Sequence, residues 1–555
     1  MTISEISKAQ IGQPRTSVGS HCWRPTSAWS GRLVLPTEQE RKDDGGVYIQ
    51  LSNVPDDRRE LLGKKVWLKL APSTWSRQAT QDIHFTKATL ENQDKGNLAP
   101  ERLNGWKAVS PLESLAGARK KNDMTVALEQ VHLVGDPPTL EIEDEPIQIS
   151  GSQKALVQFE KKLPGGRWLV RHWNPSKSDF SGPREVVENA GSDKANPLQD
   201  AQMNREGYYL YAEPSASGVM QLKALEPRAL LSLEADQVML GQRRSLDYLK
   251  KENWRVEQLR GGETTKTLLD PTVDPKARPI DIHRSVAQQF QEGEEYLVVH
   301  NFGGRSNDQT PFFGLATGHF ALGTAEVVKD EFTGENRLDV EYRQVYANNP
   351  EGIVSGAMKW HNYMADLSGD RDNGPRGWMY HRPVSDVLIR VPELQKTSTG
   401  YQPMEVLKDR LSEMTSRYRT GEGDGSAIVG PAQSCSADSA QALYATTQDW
   451  RSAVGRGEAG EELLAFSELV ASQVTPVFGL APRAWRKTAR NESKPDPNRM
   501  RVLPALLSPK TILPRDHADG LVEKTLRAGH PSLIIKTDII AADIDYHPVA
   551  PSKAF

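Results

Sequence analysis

The chain has 555 residues, 37% of them apolar, with twelve Trp and fourteen Tyr spread along it and a net charge of −4. That apolar content excludes a disordered chain, and because one core rarely outgrows about 250–300 residues, two or three domains are expected. A charge this near zero gives no global attraction to nucleic acid or an anionic membrane, and two cysteines exclude a disulfide framework or a cysteine-rich zinc module.

The N-terminal stretch MTISEISKAQIGQPRTS is polar and carries no apolar run of the kind a secretory signal needs. Together with the low cysteine use, it predicts a cytoplasmic protein. No apolar run approaches the roughly 18 residues of a membrane span. The strongest, Glu461 to Leu480, is interrupted by Ser467, Glu468, Ser472, Gln473 and Thr475.

Residues 1–20 read as a flexible arm. Three strands follow, rich in alternating β-branched and aromatic residues, at Gly31–Pro36, Gly46–Leu51 and Lys65–Leu70. A helix is expected near Leu112–Lys121, with strands at Met124–Val134 and Lys154–Phe159. Leu163-Pro-Gly-Gly166 supplies the positive-φ positions of a tight turn into the strand Arg167–Trp173. Further strands fall at Tyr208–Tyr211 and Val219–Leu225. Residues 21–225 therefore read as an antiparallel β-rich half, one sandwich or barrel or two small β modules.

The pattern then changes. Pro227–Leu240 and Gln242–Gly261 look helical, and with the Pro-containing stretch to residue 279 they suggest a helical connector and linker over 226–279. An α+β unit is expected over 280–485. It has a helix at Ser285–Glu292, strands at Glu295–His300, Gly318–Gly323, Arg337–Tyr346 and Val384–Val391, and helices at Met404–Arg417 and Gly460–Ser472. Residues 486–555 read as a Pro-containing extension. No internal repeat is evident. The fold class expected is thus α+β and multi-domain.

Cys435 is the most suggestive residue. It follows the Gly-rich loop Gly421–Gly430 and opens a helix, where free backbone N–H groups and the helix dipole favour a thiolate and can hold an oxyanion. Ser434 and Ser436 are placed to cap that helix. A cysteine in such a place is more often a small apolar core residue, but a base is available upstream in His319, on a strand among small residues. Gln344 on the next strand is the candidate to orient that base, flanked by Tyr342 and Tyr346 on the same face, and His361 is a second histidine candidate. Other chemistry is not supported. There is no HExxH, no GxSxG and no complete phosphate-binding loop. The twelve histidines show no metal-like spacing, and no cofactor is expected. The acidic stretch Asp366–Asp372 lacks the spacing of a calcium loop.

A strand reading Gly-His-Phe-Ala-Leu-Gly, then a strand carrying a polar residue, then a Cys opening a helix resembles the permuted papain-like hydrolases, including NlpC-type amidases and the lecithin:retinol acyltransferase-like proteins. The resemblance spans about residues 295–450. It departs from the compact members by some 90 residues between the second strand and Cys435. It implies a papain-like C-terminal half, with Cys435 as nucleophile, His319 as base and Gln344 as orienter. The thiolate would attack an amide or ester and pass the acyl group to water or another acceptor. A weaker whole-chain resemblance is to large cyanobacterial proteins that carry a CAAX-protease label, whose genuine enzymes are intramembrane metalloproteases; no span or matching glutamates and histidines support that chemistry. The reading from a different class is a non-catalytic β-rich binding or scaffold protein with a degenerate papain-like domain, taking a protein partner on its β-rich half.

Overall fold

Alternation of apolar and polar residues sets the register of the first strands. In the computed structural model these are β1 (Arg24–Pro25), β2 (Trp29–Val34), β3 (Val47–Asn53) and β4 (Lys65–Leu70). Val47, Ile49 and Leu51 point inward from β3. The structure describes residues 22–72, 75–76, 101–103, 106, 108–119, 121–189, 201–251, 264–278, 289–303, 318–349, 352–367, 384–420, 434–474 and 509–537.

Helix α1 (Pro111–Gly117) begins in a full capping box. Ser110 Oγ accepts from the Glu113 N–H, and the Glu113 carboxylate accepts from the Ser110 N–H. After it come β5 (Thr125–Leu128), β6 (His132–Val134) and β7 (Thr139–Ile142). Strands β2, β3 and β4 pair antiparallel in turn, β4 pairs parallel with β7, β7 antiparallel with β6, and β5 antiparallel with β2. Only residues 129–131 separate β5 from β6, so the two act as one interrupted strand that closes a barrel around Leu33, Ile49, Leu68, Val126 and Leu140.

A short link, β8 (Ile147–Gln148), leads to a second barrel of β9 (Gln153–Leu163), β10 (Arg167–His172), β11 (Arg184–Asn189), β12 (Tyr208–Pro214) and β13 (Met220–Pro227). The eleven-residue β9 pairs with both β10 and β12, β11 runs parallel to β13, and β13 pairs antiparallel with β12. Taking β5 and β6 as one strand, both barrels have the order first, second, third, fifth, fourth, and back to the first. This is the Greek-key order of the OB-type barrel. The β-rich half is therefore two barrels with a shared strand order, although no repeat is visible in the residues.

The C-terminal half is a long sheet. After α2 (Arg228–Leu231), β14 (Gln237–Leu240), α3 (Gln242–Lys251) and β15 (Thr264–Asp270) come β16 (Glu295–Gly303), β17 (Gly318–Lys329), β18 (Asn336–Asn349) and β19 (Gly352–Lys359). Helix α4 (Trp360–Ala365) and β20 (Val384–Arg390) follow, then α5 (Pro403–Thr420), α6 (Cys435–Gly455), α7 (Glu461–Val474), α8 (Pro509–Ile512), α9 (Pro514–Ala528) and β21 (Ser532–Thr537). The spatial order is β14-β15-β21-β20-β16-β17-β18-β19, and β19 continues through β8 into the first barrel. One face packs with the second barrel and α4 in a shared core containing Tyr208, Leu210, Tyr342 and Trp360. The other face packs against α5, α6, α7 and α9 through Phe320, Leu411, Trp450 and Leu521.

Two expectations change here. The segment expected as a helical connector supplies strands β14 and β15, and the expected extension supplies β21, which lies between β15 and β20. Ser532-Leu-Ile-Ile-Lys-Thr537 is buried along its whole length, and a run this short has too few residues to show which element it joins. The helix expected at Ser285–Glu292 lies mostly outside the described residues, as does the second half of the helical stretch expected at Gln242–Gly261. Among the described residues no helix is long and apolar enough to cross a membrane.

A buried ion pair joins the C-terminal half to the first barrel's helix and to the link between the barrels. Arg419 of α5 is fully buried and pairs with Glu145 in the link after β7. Arg419 also donates to Ser114 Oγ of α1 at 3.1 Å and to the Ser355 carbonyl of β19 at 3.3 Å. Removing one partner of such a pair strands a charge in the interior. Arg419→Met should lower stability by about 3–5 kcal/mol, and adding Glu145→Leu should restore much of the loss. Urea midpoints of the two variants check this, and a single variant as stable as the parent would refute it.

Candidate functional site

His319 and Gln344 are brought together as expected. They sit on neighbouring strands β17 and β18 with His319 Nε2 2.6 Å from Gln344 Oε1. As oriented, the amide oxygen accepts the Nε2 proton and leaves Nδ1 as the basic nitrogen. Tyr342, two residues before Gln344, lies on the same face. The Tyr346 side chain and the loop over 421–433 lie outside the described residues.

Three further side chains complete a polar cluster. His300 Nδ1 on β16 lies 2.6 Å from Asp386 Oδ1 on β20, and the Tyr342 hydroxyl donates to Asp386 Oδ2 at 2.8 Å. The Tyr363 ring of α4 lies 5.4 Å from that of His300 and 6.1 Å from that of His319, and the two histidine rings are 6.0 Å apart. All six side chains are buried. Burial and the nearby Asp386 charge hold the Tyr342 hydroxyl well above the ordinary tyrosine range, so it stays a proton donor. His300, Asp386 and Tyr363 were not singled out from the sequence. The available signal was a histidine and an aspartate at inward positions of the apolar strands Glu295–His300 and Val384–Arg390, where an ionisable side chain is unusual unless paired.

Cys435 lies elsewhere. It opens the 21-residue helix α6, and Ser434 caps that helix by accepting the Ala437 N–H at 3.1 Å. The cysteine belongs to the apolar layer between sheet and helices, with Phe320 and Leu443. Phe320 follows His319 on β17, and successive strand residues face opposite sides. Phe320 points at the helices, whereas His319 points at α4. Arg343, the neighbour of Tyr342 and Gln344, likewise points at the helices and donates to Ser412 of α5 at 2.8 Å. The expected nucleophile and base thus lie on opposite faces of the sheet. Burial pushes the Cys435 thiol up to about 11, and the N–H groups of Phe320 and Ser436 offset it only in part. The histidine beside the start of α6 is His517 of α9. It lies 3.1 Å from Ser436 Oγ, stacks on Phe320, and is held neutral by burial, with its pKa pushed down to about 3.

His361 marks a second place. Its ring stacks on Tyr211 of β12 at 3.5 Å, and the Tyr211 hydroxyl donates to Glu226 of β13 at 2.6 Å. In front of this column the two barrels and α4 enclose a cavity of about 450 Å³. Strand β2 contributes Arg32, β12 and β13 contribute Glu213 and Lys223, and Asn362 and Asp366 close the far wall. The floor is the connector Ile149–Gly151. Gly151 has φ +87°, and a Cβ there would meet the Ala212 nitrogen at 2.7 Å, so only glycine lets the connector lie against β12. Flanking serines bind the wall carboxylates. Ser150 Oγ donates to Asp366 Oδ2 at 2.8 Å, and Ser152 gives Glu213 both its N–H and its hydroxyl, each at 2.7 Å. Among the described residues no cluster of three or more His, Cys, Asp or Glu could hold a metal ion.

No family model matches the chain, and no curated protein or solved structure is significantly similar to it.

Burial pushes the Glu226 carboxyl up to about 7, with Arg337 and the Tyr211 hydroxyl offsetting part of the effect. The folded state therefore holds this proton more tightly than the unfolded chain does. Stability should be greatest below the unfolded value of 4.5, fall as pH rises towards 7, and then level off, with a total cost on the order of 3 kcal/mol. Glu226→Gln removes the ionisation and should raise the urea midpoint at pH 8 but not at pH 4. Equal pH profiles for the two proteins would mean that Glu226 is ionised in the folded state as well.

Proposed function

We propose that the protein is a non-catalytic binding protein whose site is the cavity between its two barrels and α4. The observation that carries this reading is that cavity: a polar pocket built from three units, with its connector held by a glycine that no other residue can replace without strain. Its volume lies within the range of small-molecule sites, roughly 300–1,000 Å³, and it sits between units where such sites concentrate. Among the described residues the lining holds no cysteine or histidine, and its one serine–carboxylate contact, Ser150 with Asp366, ties the connector to the wall.

A cysteine hydrolase or acyltransferase would need Cys435 as a thiolate within reach of an imidazole. A thiol buried in an apolar layer and titrating well above neutral pH is a poor nucleophile. The His300–Asp386 and His319–Gln344 pairs are oriented as bases would be, but they are buried, and their bonds tie four strands of the sheet together. They form a polar core.

The discriminating measurement is alkylation of the native protein by iodoacetamide across pH 5 to 9, read by mass spectrometry at Cys22 and Cys435. Cys435 should label slowly at every pH, and at an unchanged rate in His319→Ala. Fast labelling at Cys435 below pH 7, slowed by His319→Ala, would overturn the binding reading and establish a thiolate–imidazole pair.

A further inference from the structure

The charges around the cavity are not used equally. Its carboxylates Glu213 and Asp366 are bound by connector serines. Among the described residues, Arg32 and Lys223 have no carboxylate partner. The Arg32 guanidinium donates only to the neutral Gln50 Oε1, at 2.5 Å. The two cations come from different barrels, Arg32 from β2 and Lys223 from β13, and both line the same cavity. A third, Arg119, is shared with Asp123 at 4.0 Å. The lining carboxylates Asp123, Glu213 and Asp366 balance the charge of the wall as a whole, but a cation outside an ion pair keeps its N–H donors for the anionic group of a ligand. Serine-bound carboxylates still have lone pairs to accept hydrogen bonds from hydroxyl groups. Among the described residues the lining carries no aromatic ring, so a flat base or indole has no surface there to stack on, and its apolar side chains are Leu51 and Ile149.

From this we infer that the cavity binds a small organic anion rich in hydroxyl groups, a phosphorylated or carboxylated polyol, with Arg32 and Lys223 on the anionic group and Asp366, Glu213 and Asn362 on the hydroxyls. The inference rests on the binding reading above and adds the ligand class. Recruitment of cations from both barrels also means that ligand binding stiffens the joint between them.

The full-length protein is titrated by calorimetry with ribose 5-phosphate, gluconate and ribose, and with spermidine as a probe of opposite charge. At least one of the two anions should bind, and neutral ribose should bind about tenfold or more weakly by comparison, since each lost charge-assisted contact is worth a factor of that order. Whichever anion binds more tightly identifies the anionic group as phosphate or carboxylate. Lys223→Glu and Arg32→Glu should each abolish anion binding while leaving the melting temperature of the free protein unchanged, because among the described residues neither side chain is in an ion pair. Asp366→Asn should weaken the polyol anion but not inorganic phosphate. Ribose binding as tightly as the anions, or spermidine binding that Asp366→Asn abolishes, would overturn the ligand class and leave the cavity as the binding site. Failure of both anions to bind at millimolar concentration would overturn the ligand class as well. Failure of the binding reading itself would show separately, as fast thiol labelling at Cys435.

Discussion

The Arg419–Glu145 ion pair is the constraint that sets the C-terminal half against the first barrel and the link between the two barrels. Arg419 leaves a helix of the C-terminal half, reaches the link between the two barrels, and touches the first barrel's helix through Ser114. A buried charge is tolerated only when its hydrogen-bonding capacity is used, and this guanidinium has partners from α1, β19, its own helix and the Glu145 carboxylate. Gly356 on β19 makes room for it: its φ is +119°, and a Cβ there would come within 2.9 Å of Arg419 Nη1. One turn of helix, one strand and one link are held in register by a single side chain.

That register shapes the cavity. Its walls come from elements more than 300 residues apart in the chain, from Arg32 to Asp366, and only the joint holds them facing one another. The connector serines serve two ends. They hydrogen-bond Asp366 and Glu213, which would otherwise be costly at a partly buried interface, so that among the described residues neither carboxylate is drawn into an ion pair with Arg32 or Lys223. The charge pattern of the cavity follows from assembly, since Arg32 comes from one barrel and Lys223 from the other.

Sheet alternation accounts for the separation of Cys435 from His319. A strand between two packed layers sends consecutive side chains to different cores, so Phe320 joins the helical layer and His319 the layer shared with α4. Position along the chain does not reveal this, because the choice between faces depends on which layer each packs against. Gln344 meets His319 because both lie on the α4-facing side of adjacent antiparallel strands, a relation that strand parity does encode.

The residues alone carried the local elements: the alternating strands of the β-rich half, a helix near Leu112–Lys121, the Ser434 cap of the helix that Cys435 opens, and the neighbouring positions of His319 and Gln344. These depend on contacts within a few residues or on the period-two parity of a strand. Only the tertiary structure decided that two stretches without visible sequence similarity form barrels of one strand order, and that Ser532–Thr537 belongs inside the sheet. It alone placed His300 and Asp386 opposite each other, and Arg32 and Lys223 around one cavity. Each of these depends on which distant segment supplies a partner, and a buried histidine, a buried strand or an unpaired cation looks the same in one dimension whatever it finally faces.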